Sequence, residues 1–201
     1  MPRFYLRLAL LPTILLTVVL IGIRSQPYDD HELHELLLPT GCAAPCFMGI
    51  QAGITTVEEA VKLLEASEWV SKVANEMAGN NSGFIYWNWS NQAPTWISKN
   101  DKGKLYATDK IVYSILIDTR FVLGDTRLVF GLPNLEIVEP SQSPNILYTA
   151  YYDQLGFTIH FWYLCHSSHP LLHKIRIGFS VSLPIDNFLH RDSLNDLFRA
   201  C

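Results

Sequence analysis

Lys110-Ile111-Val112-Tyr113-Ser114-Ile115 and, 64 residues later, Lys174-Ile175-Arg176-Ile177-Gly178-Phe179 share one pattern. In each, a lysine opens a run dominated by β-branched and aromatic residues. Such side chains pack well on a pleated, half-buried surface, so both runs read as strands. An earlier pair repeats the parallel: Phe84-Ile85-Tyr86-Trp87-Asn88-Trp89 matches Ile146-Leu147-Tyr148-Thr149-Ala150-Tyr151. A helix opening precedes each set. Thr55 or Thr56 can cap a helix whose first turn carries Glu58 and Glu59, close to a capping box. Leu123-Gly124-Asp125-Thr126 opens a second, stopped by Gly131-Leu132-Pro133. The recurrence predicts an α+β fold of two tandem helix–strand–strand–strand units with an antiparallel sheet, over residues 41–120 and 121–201. The alternative is one α+β domain whose elements merely look alike.

Between these landmarks the reading is coarser. Residues 68–77 have helical spacing and end in the turn-forming Gly79-Asn80-Asn81-Ser82-Gly83. Residues 95–98 read as a short strand and residues 99–104 as a solvated turn. Residues 157–165 and 175–183 complete the second set of strands. Leu194, Leu197 and Phe198 suggest a short terminal helix packing back on the sheet.

The N-terminus has a different composition. Arg3 and Arg7 precede Leu8 to Ile23, 16 residues without a charge, and Arg24 closes the run. A basic n-region followed by an apolar stretch is the pattern of an export signal or signal anchor, here residues 1–25. Ile23-Arg24-Ser25 is a poor cleavage site because its first position is large, so an uncleaved anchor with the N-terminus inside is preferred to cleavage. Residues 26–40 are polar and acidic and read as a tether or short helix. Without those three arginines the chain keeps 12 basic and 19 acidic side chains, a net of −7. An acidic body repels phosphate backbones, which argues against a nucleic-acid partner.

Cys42 and Cys46 flank Ala43-Ala44-Pro45, a spacing that one tight turn can close into a disulfide, the expected fate outside the cytosol. Cys165 and Cys201 are a second possible pair. His31-Glu32-Leu33-His34-Glu35 has its histidines three apart, whereas a zincin helix needs them four apart on one face. Cys165-His166-Ser167-Ser168-His169-Pro170-Leu171-Leu172-His173 offers zinc-compatible atoms, but Pro170 breaks any helix that would align them. No nucleophile elbow and no phosphate-cradling loop is present. No catalytic residue, metal ligand or cofactor is therefore assigned. The remaining feature is aromatic: Trp87 and Trp89 alternate onto one face of a strand and Phe84 and Tyr86 onto the other. If the indoles face outward, Trp87, Trp89 and Trp96 form a binding surface; if inward, they fill the core.

Pro45-Cys46-Phe47-Met48-Gly49-Ile50 through Gly53-Ile54-Thr55-Thr56-Val57-Glu58-Glu59-Ala60 resembles a group of uncharacterised exported bacterial proteins. These carry a Pro-Cys-Trp-x-Gly-Ile stretch before a Pro-Gly-x-Thr-Thr-x-Glu-Glu-Ala helix opening. Phe47 stands where the group has Trp, and Ala52 where it has Pro. The Leu123-Gly124-Asp125 start is similar to the group's second helix. At the level of fold alone, the pattern resembles the small lipoproteins of outer-membrane assembly and, in tandem, β-lactamase inhibitor protein.

The expectation is a membrane-tethered extracytoplasmic binding or scaffolding module of the bacterial cell envelope, non-enzymatic, with an envelope protein or glycan as partner. The competing readings are a metal-dependent hydrolase using His166, His169 and His173, and a glycan-binding module.

Overall fold

The computed structural model describes residues 2–24, 31–37, 41–77, 82–140, 145–164 and 173–181. The chain divides into two compact units, Met1–His31 and Glu32–Cys201. In the first, Pro2–Arg24 forms helix α1. Leu10, Ile14, Leu15, Leu16 and residues 18–21 all expose their apolar side chains. The charge-free run of α1 rises about 24 Å, against a hydrocarbon core of about 30 Å. No helix among the described residues is long and apolar enough to cross a membrane.

The second unit begins within α2, His31–Leu37. Leu33, Leu36 and Leu37 are buried in the core, so a stretch read as a possible tether contributes to packing. A small hairpin follows, β1 (Cys46–Phe47) and β2 (Ile50–Gln51), then helix α3, Val57–Ala66. The capping box forms at Thr56: the Glu59 N–H donates to Thr56 Oγ1 and the Thr56 N–H to Glu59 Oε2. That satisfies two donors which a helix N-terminus otherwise leaves open. Four strands come next: β3 (Val70–Met77), β4 (Gly83–Trp89), β5 (Gly103–Thr108) and β6 (Ile111–Val122). Helix α4, Leu123–Phe130, leads to β7 (Leu135–Pro140), β8 (Asn145–Tyr152), β9 (Phe157–Leu164) and β10 (Lys174–Ser180).

The last eight strands make one antiparallel sheet, ordered β3-β4-β5-β6-β10-β9-β8-β7. The fold is α+β, as expected. Each half of the sheet is a four-strand meander preceded by a helix, and the halves join where β6 pairs with β10. The stretches read as two units thus share one continuous sheet. Its register sets Ile115 opposite Phe179 and Ile117 opposite Ile177.

Three local expectations are corrected. Residues 68–77 are largely the edge strand β3. Its half-buried residues fall at Val70, Val73 and Met77, which mimics helical spacing. The cause is an irregularity in the pairing with β4 between Val70 and Lys72, where an extra residue carries Val70 and Val73 to the same face. Residues 95–98 are a turn with a single bridge, Ile97 to Thr119. The solvated turn ends at Lys102, because Gly103 already opens β5, and neither β5 nor β7 was read as a strand. The terminal helix at Leu194, Leu197 and Phe198 lies outside the described residues.

One face of the sheet carries the core. Ile85, Trp87 and Trp89, Leu105 and Ala107, Ile115 and Ile117, Ile177 and Phe179 are all buried there beneath α3 and α4. Gly103 is required at its position: a Cβ would come within 2.0 Å of the Trp87 ring. Phe47 links both halves, stacking on Phe179 at 5.5 Å and meeting Trp89 edge-on at 6.4 Å. Its hairpin is closed by the Cys42–Cys46 disulfide, with Cα atoms 6.0 Å apart. On the other half, Arg127 of α4 pairs with Glu136 and donates to Tyr148 Oη at 2.9 Å. Burial raises the Tyr148 hydroxyl far above its ordinary value and Tyr152 to about 12, so both stay neutral hydrogen-bonding phenols.

Two outcomes follow from this packing. Gly103→Ala should destabilise the protein by about 1–3 kcal/mol, the cost of overpacking, read as a lower urea midpoint. An unchanged midpoint would show that Trp87 does not press on Gly103. Peptide mapping of the native protein without reductant should recover Cys42 joined to Cys46, and alkylation of both in the native state would contradict the pairing.

Candidate functional site

Side chains alternate across a strand, so the residues between the core positions define the opposite face. Among the described residues no helix packs there. The face collects Phe84 and Tyr86 from β4, Lys104 and Tyr106 from β5, Asp118 from β6, Arg176 from β10, and His160 and Trp162 from β9. The described cations on it are Lys72, Lys104, Arg120, Lys174 and Arg176; the carboxylates are Glu76, Asp118 and Glu139. Five against three makes the face positive on a chain whose formal charge is −4.

Two clusters organise it. In the first half, Phe84 lies 5.1 Å from Tyr106 and 6.0 Å from Tyr86, and Tyr106 meets Tyr113 edge-on at 6.2 Å. Lys104 Nζ is 4.3 Å from the Phe84 centroid and 5.7 Å from that of Tyr86, a cation–π arrangement worth about 0.5–1 kcal/mol at an exposed site. In the second half, Arg176 makes a bidentate pair with Asp118, both N–O distances 2.9 Å, and its guanidinium covers the exposed Trp162 ring at 4.9 Å. The fork fixes the guanidinium plane, and the ring shields one side of it from water.

His160, opposite Arg176 on the neighbouring strand, sits in a hollow made by Gly178. A Cβ on Gly178 would fall within 2.6 Å of Thr158 Oγ1 and 3.1 Å of His160 Nε2, so glycine lets these groups fold over the strand. Thr158 Oγ1 donates to the Gly178 carbonyl at 3.2 Å. Its single proton is then used, so it accepts from His160 Nε2–H at 2.8 Å, leaving Nδ1 to accept from the Thr149 hydroxyl at 3.1 Å. The relay is complete and holds the neutral imidazole. Burial first, and the Arg176 charge second, depress its pKa to about 4. With both nitrogens engaged, His160 acts here as a structural link rather than a proton acceptor for substrate.

Two clefts adjoin the edge strand β3. One of about 410 Å³ is lined by Thr56, Val57, Glu58, Asn75, Met77 and Lys110. One of about 100 Å³ is lined by Lys72, Ala74, Tyr86, Trp87, Asn88 and Lys102.

The residues singled out in the sequence are distributed differently. Trp87, Trp89 and Trp96 are 1%, 7% and 7% exposed, so their rings belong to the core and offer no surface. His166 and His169 lie outside the described residues, as do Cys165 and Cys201. His173 stacks on Phe161 at 5.8 Å and meets Tyr163 edge-on at 5.2 Å. No group of three metal-capable side chains comes together among the described residues. His34 packs against Phe130 at 5.2 Å. The face residues that sequence reasoning passed over had one usable signal, the alternation Thr158-x-His160-x-Trp162 on a strand.

The His160 relay predicts a pH dependence. Its folded pKa lies below the ordinary value of 6.5, so the unfolded chain takes up the proton first. Stability is full above pH 6.5 and falls as pH drops towards about 4, by up to about 3 kcal/mol. Denaturation series at several pH values should show this acid loss in the wild type and a flatter profile in His160→Gln. Parallel profiles would remove the assignment.

Compared with protein-family models, with curated proteins and with solved structures, the chain matches none.

Proposed function

We propose that this chain is a non-enzymatic binding module of the bacterial cell envelope that engages a protein partner on the face of its sheet opposite α3 and α4. The observation that carries the reading is the layering among the described residues: helices cover one face, and the other presents Tyr, Trp, Phe and Arg among lysines without a described carboxylate partner. Aromatic residues and arginine are the types enriched where protein interfaces concentrate their binding energy. Size supports it too. Eight strands at about 4.8 Å spacing and about eight residues in length span roughly 34 by 26 Å, on the order of 900 Å², comparable to the area one partner contributes to a standard interface.

Export is part of the proposal. The exposed apolar side chains of α1 lie on all its sides, and a helix apolar all round is not stable in water. Arg3 and Arg7 before the run and Arg24 after it fit an export segment, retained or cleaved. The Cys42–Cys46 disulfide suits an oxidising compartment. We also read the two halves as tandem copies. Their helices and strands occur in the same order, and Ile115 pairs with Phe179, the residue 64 positions on. A duplicated meander is a direct route to a face this wide. The glycan reading rested on three indoles that are buried, which leaves the protein-binding reading the better supported.

A photo-crosslinking residue placed at Tyr106 or Trp162 in the exported protein should yield one discrete adduct in living cells. The same residue at Leu63, exposed on the helical side, should not. Equal labelling from both sides, or none from Tyr106 and Trp162, would end the reading.

A further inference from the structure

The binding-face reading says nothing about what the partner presents, but the β3 corner of the face does. We infer that the small cleft beside Tyr86 receives a carboxylate, from an Asp or Glu side chain of an acidic polypeptide partner. The inference rests on the proposed binding face and adds the partner's chemistry to it.

The backbone creates the opening. Pairing of β4 with β5 ends at Trp87 opposite Gly103, so Asn88 and Lys102 flank a gap beyond the last pair. On the other side, Lys72 of β3 stands opposite Asn88, and Ala74, which leaves room, stands opposite Tyr86. Lys104 stands opposite Tyr86, with its ammonium 4.3 Å from the Phe84 centroid on the far side of Tyr86 from Asn88, next along the strand from the cleft. Among the described residues no carboxylate is within ion-pairing distance of Lys72, Lys102 or Lys104. Lys72 and Lys102 thus line the cleft, and Lys104 stands beside it, with no described carboxylate to neutralise them. An incoming carboxylate gains the ammonium groups and the Asn88 carboxamide, all as hydrogen-bond donors.

Volume limits the class. The cleft encloses about 100 Å³, room for roughly three water-sized groups. That takes a carboxyl group with its adjoining methylene. The surrounding aromatic rings suit a polypeptide backbone laid across them, with Tyr86 the residue shared between the cleft and the ring cluster.

The test uses the exported full chain and a defined probe, an end-blocked peptide of alternating Glu and Gly. Carbodiimide coupling followed by peptide mapping should place the peptide's carboxylates on Lys72, Lys102 or Lys104. The triple variant Lys72→Gln, Lys102→Gln, Lys104→Gln should retain its circular dichroism spectrum and lose about tenfold or more in peptide affinity. Binding should weaken with salt, and inorganic phosphate at matched ionic strength should not displace the peptide. Adducts elsewhere, unchanged affinity in the triple variant, or stoichiometric displacement by phosphate would each overturn the inference. If the peptide fails while crosslinks from Tyr106 and Trp162 persist, the carboxylate falls and the binding face stands. If those crosslinks are absent as well, both fall.

Discussion

Strand β6 is the element on which the other parts converge, and its backbone groups show how. Along its length it pairs with β5 on one side and β10 on the other. At its start, the Gly53 N–H donates to the Val112 carbonyl, the Val112 N–H to Thr55, and the Val57 N–H to Lys110. These bonds fix the chain entering α3 against the sheet. Towards its end, the Ser98 N–H donates to Asp118 and the Arg120 N–H to Trp96, holding the long connection that precedes β5. Thr119 Oγ1, fully enclosed, donates to the Ile175 carbonyl at 2.9 Å. A buried backbone group without a partner costs about 1–3 kcal/mol, so loss of this strand would orphan donors and acceptors in both halves at once.

The two faces of the sheet obey different rules. The core face is crowded with aromatic rings, and its burial outweighs polar satisfaction: the Nε1 atoms of Trp87 and Trp89 are buried without a hydrogen-bond partner in the described structure. Placing the indoles there costs two donors but fills the space above Gly103. On the opposite face, by contrast, the polar groups are matched locally. Asp118 answers Arg176, and Thr149 and Thr158 answer His160. The lysines at the β3 corner have no such ion pair among the described residues.

The edge strands show how such a sheet avoids pairing with its own kind. β3 has exposed Lys72 and Glu76 and an irregular register near Val70, and β7 ends in Pro140. Charge, bulge and proline all discourage edge-to-edge association. A sheet with edges of this kind directs contact to its faces and away from the edges.

By itself the sequence determined what local chemistry can determine. A capping box at Thr55 or Thr56 follows from residue types three apart, the structure selecting Thr56 with Glu59, and the Cys42–Cys46 closure follows from a four-residue spacing. The α+β class follows from β-branched runs, as do strands read at residues 111–117 and 175–183, which the structure places at 111–122 and 174–180. The tertiary structure decided the rest, because it depends on pairs distant along the chain. Residues 70–77 have helix-like spacing, and only their register against β4 makes them a strand. Alternation separates Trp87 from Tyr86, but it cannot say which side is covered; α3, α4 and the Phe47 hairpin decide that the indoles are inside. Gathering Lys72, Lys102 and Lys104 around one tyrosine requires three segments brought together by the sheet, and no local pattern in the chain encodes that proximity.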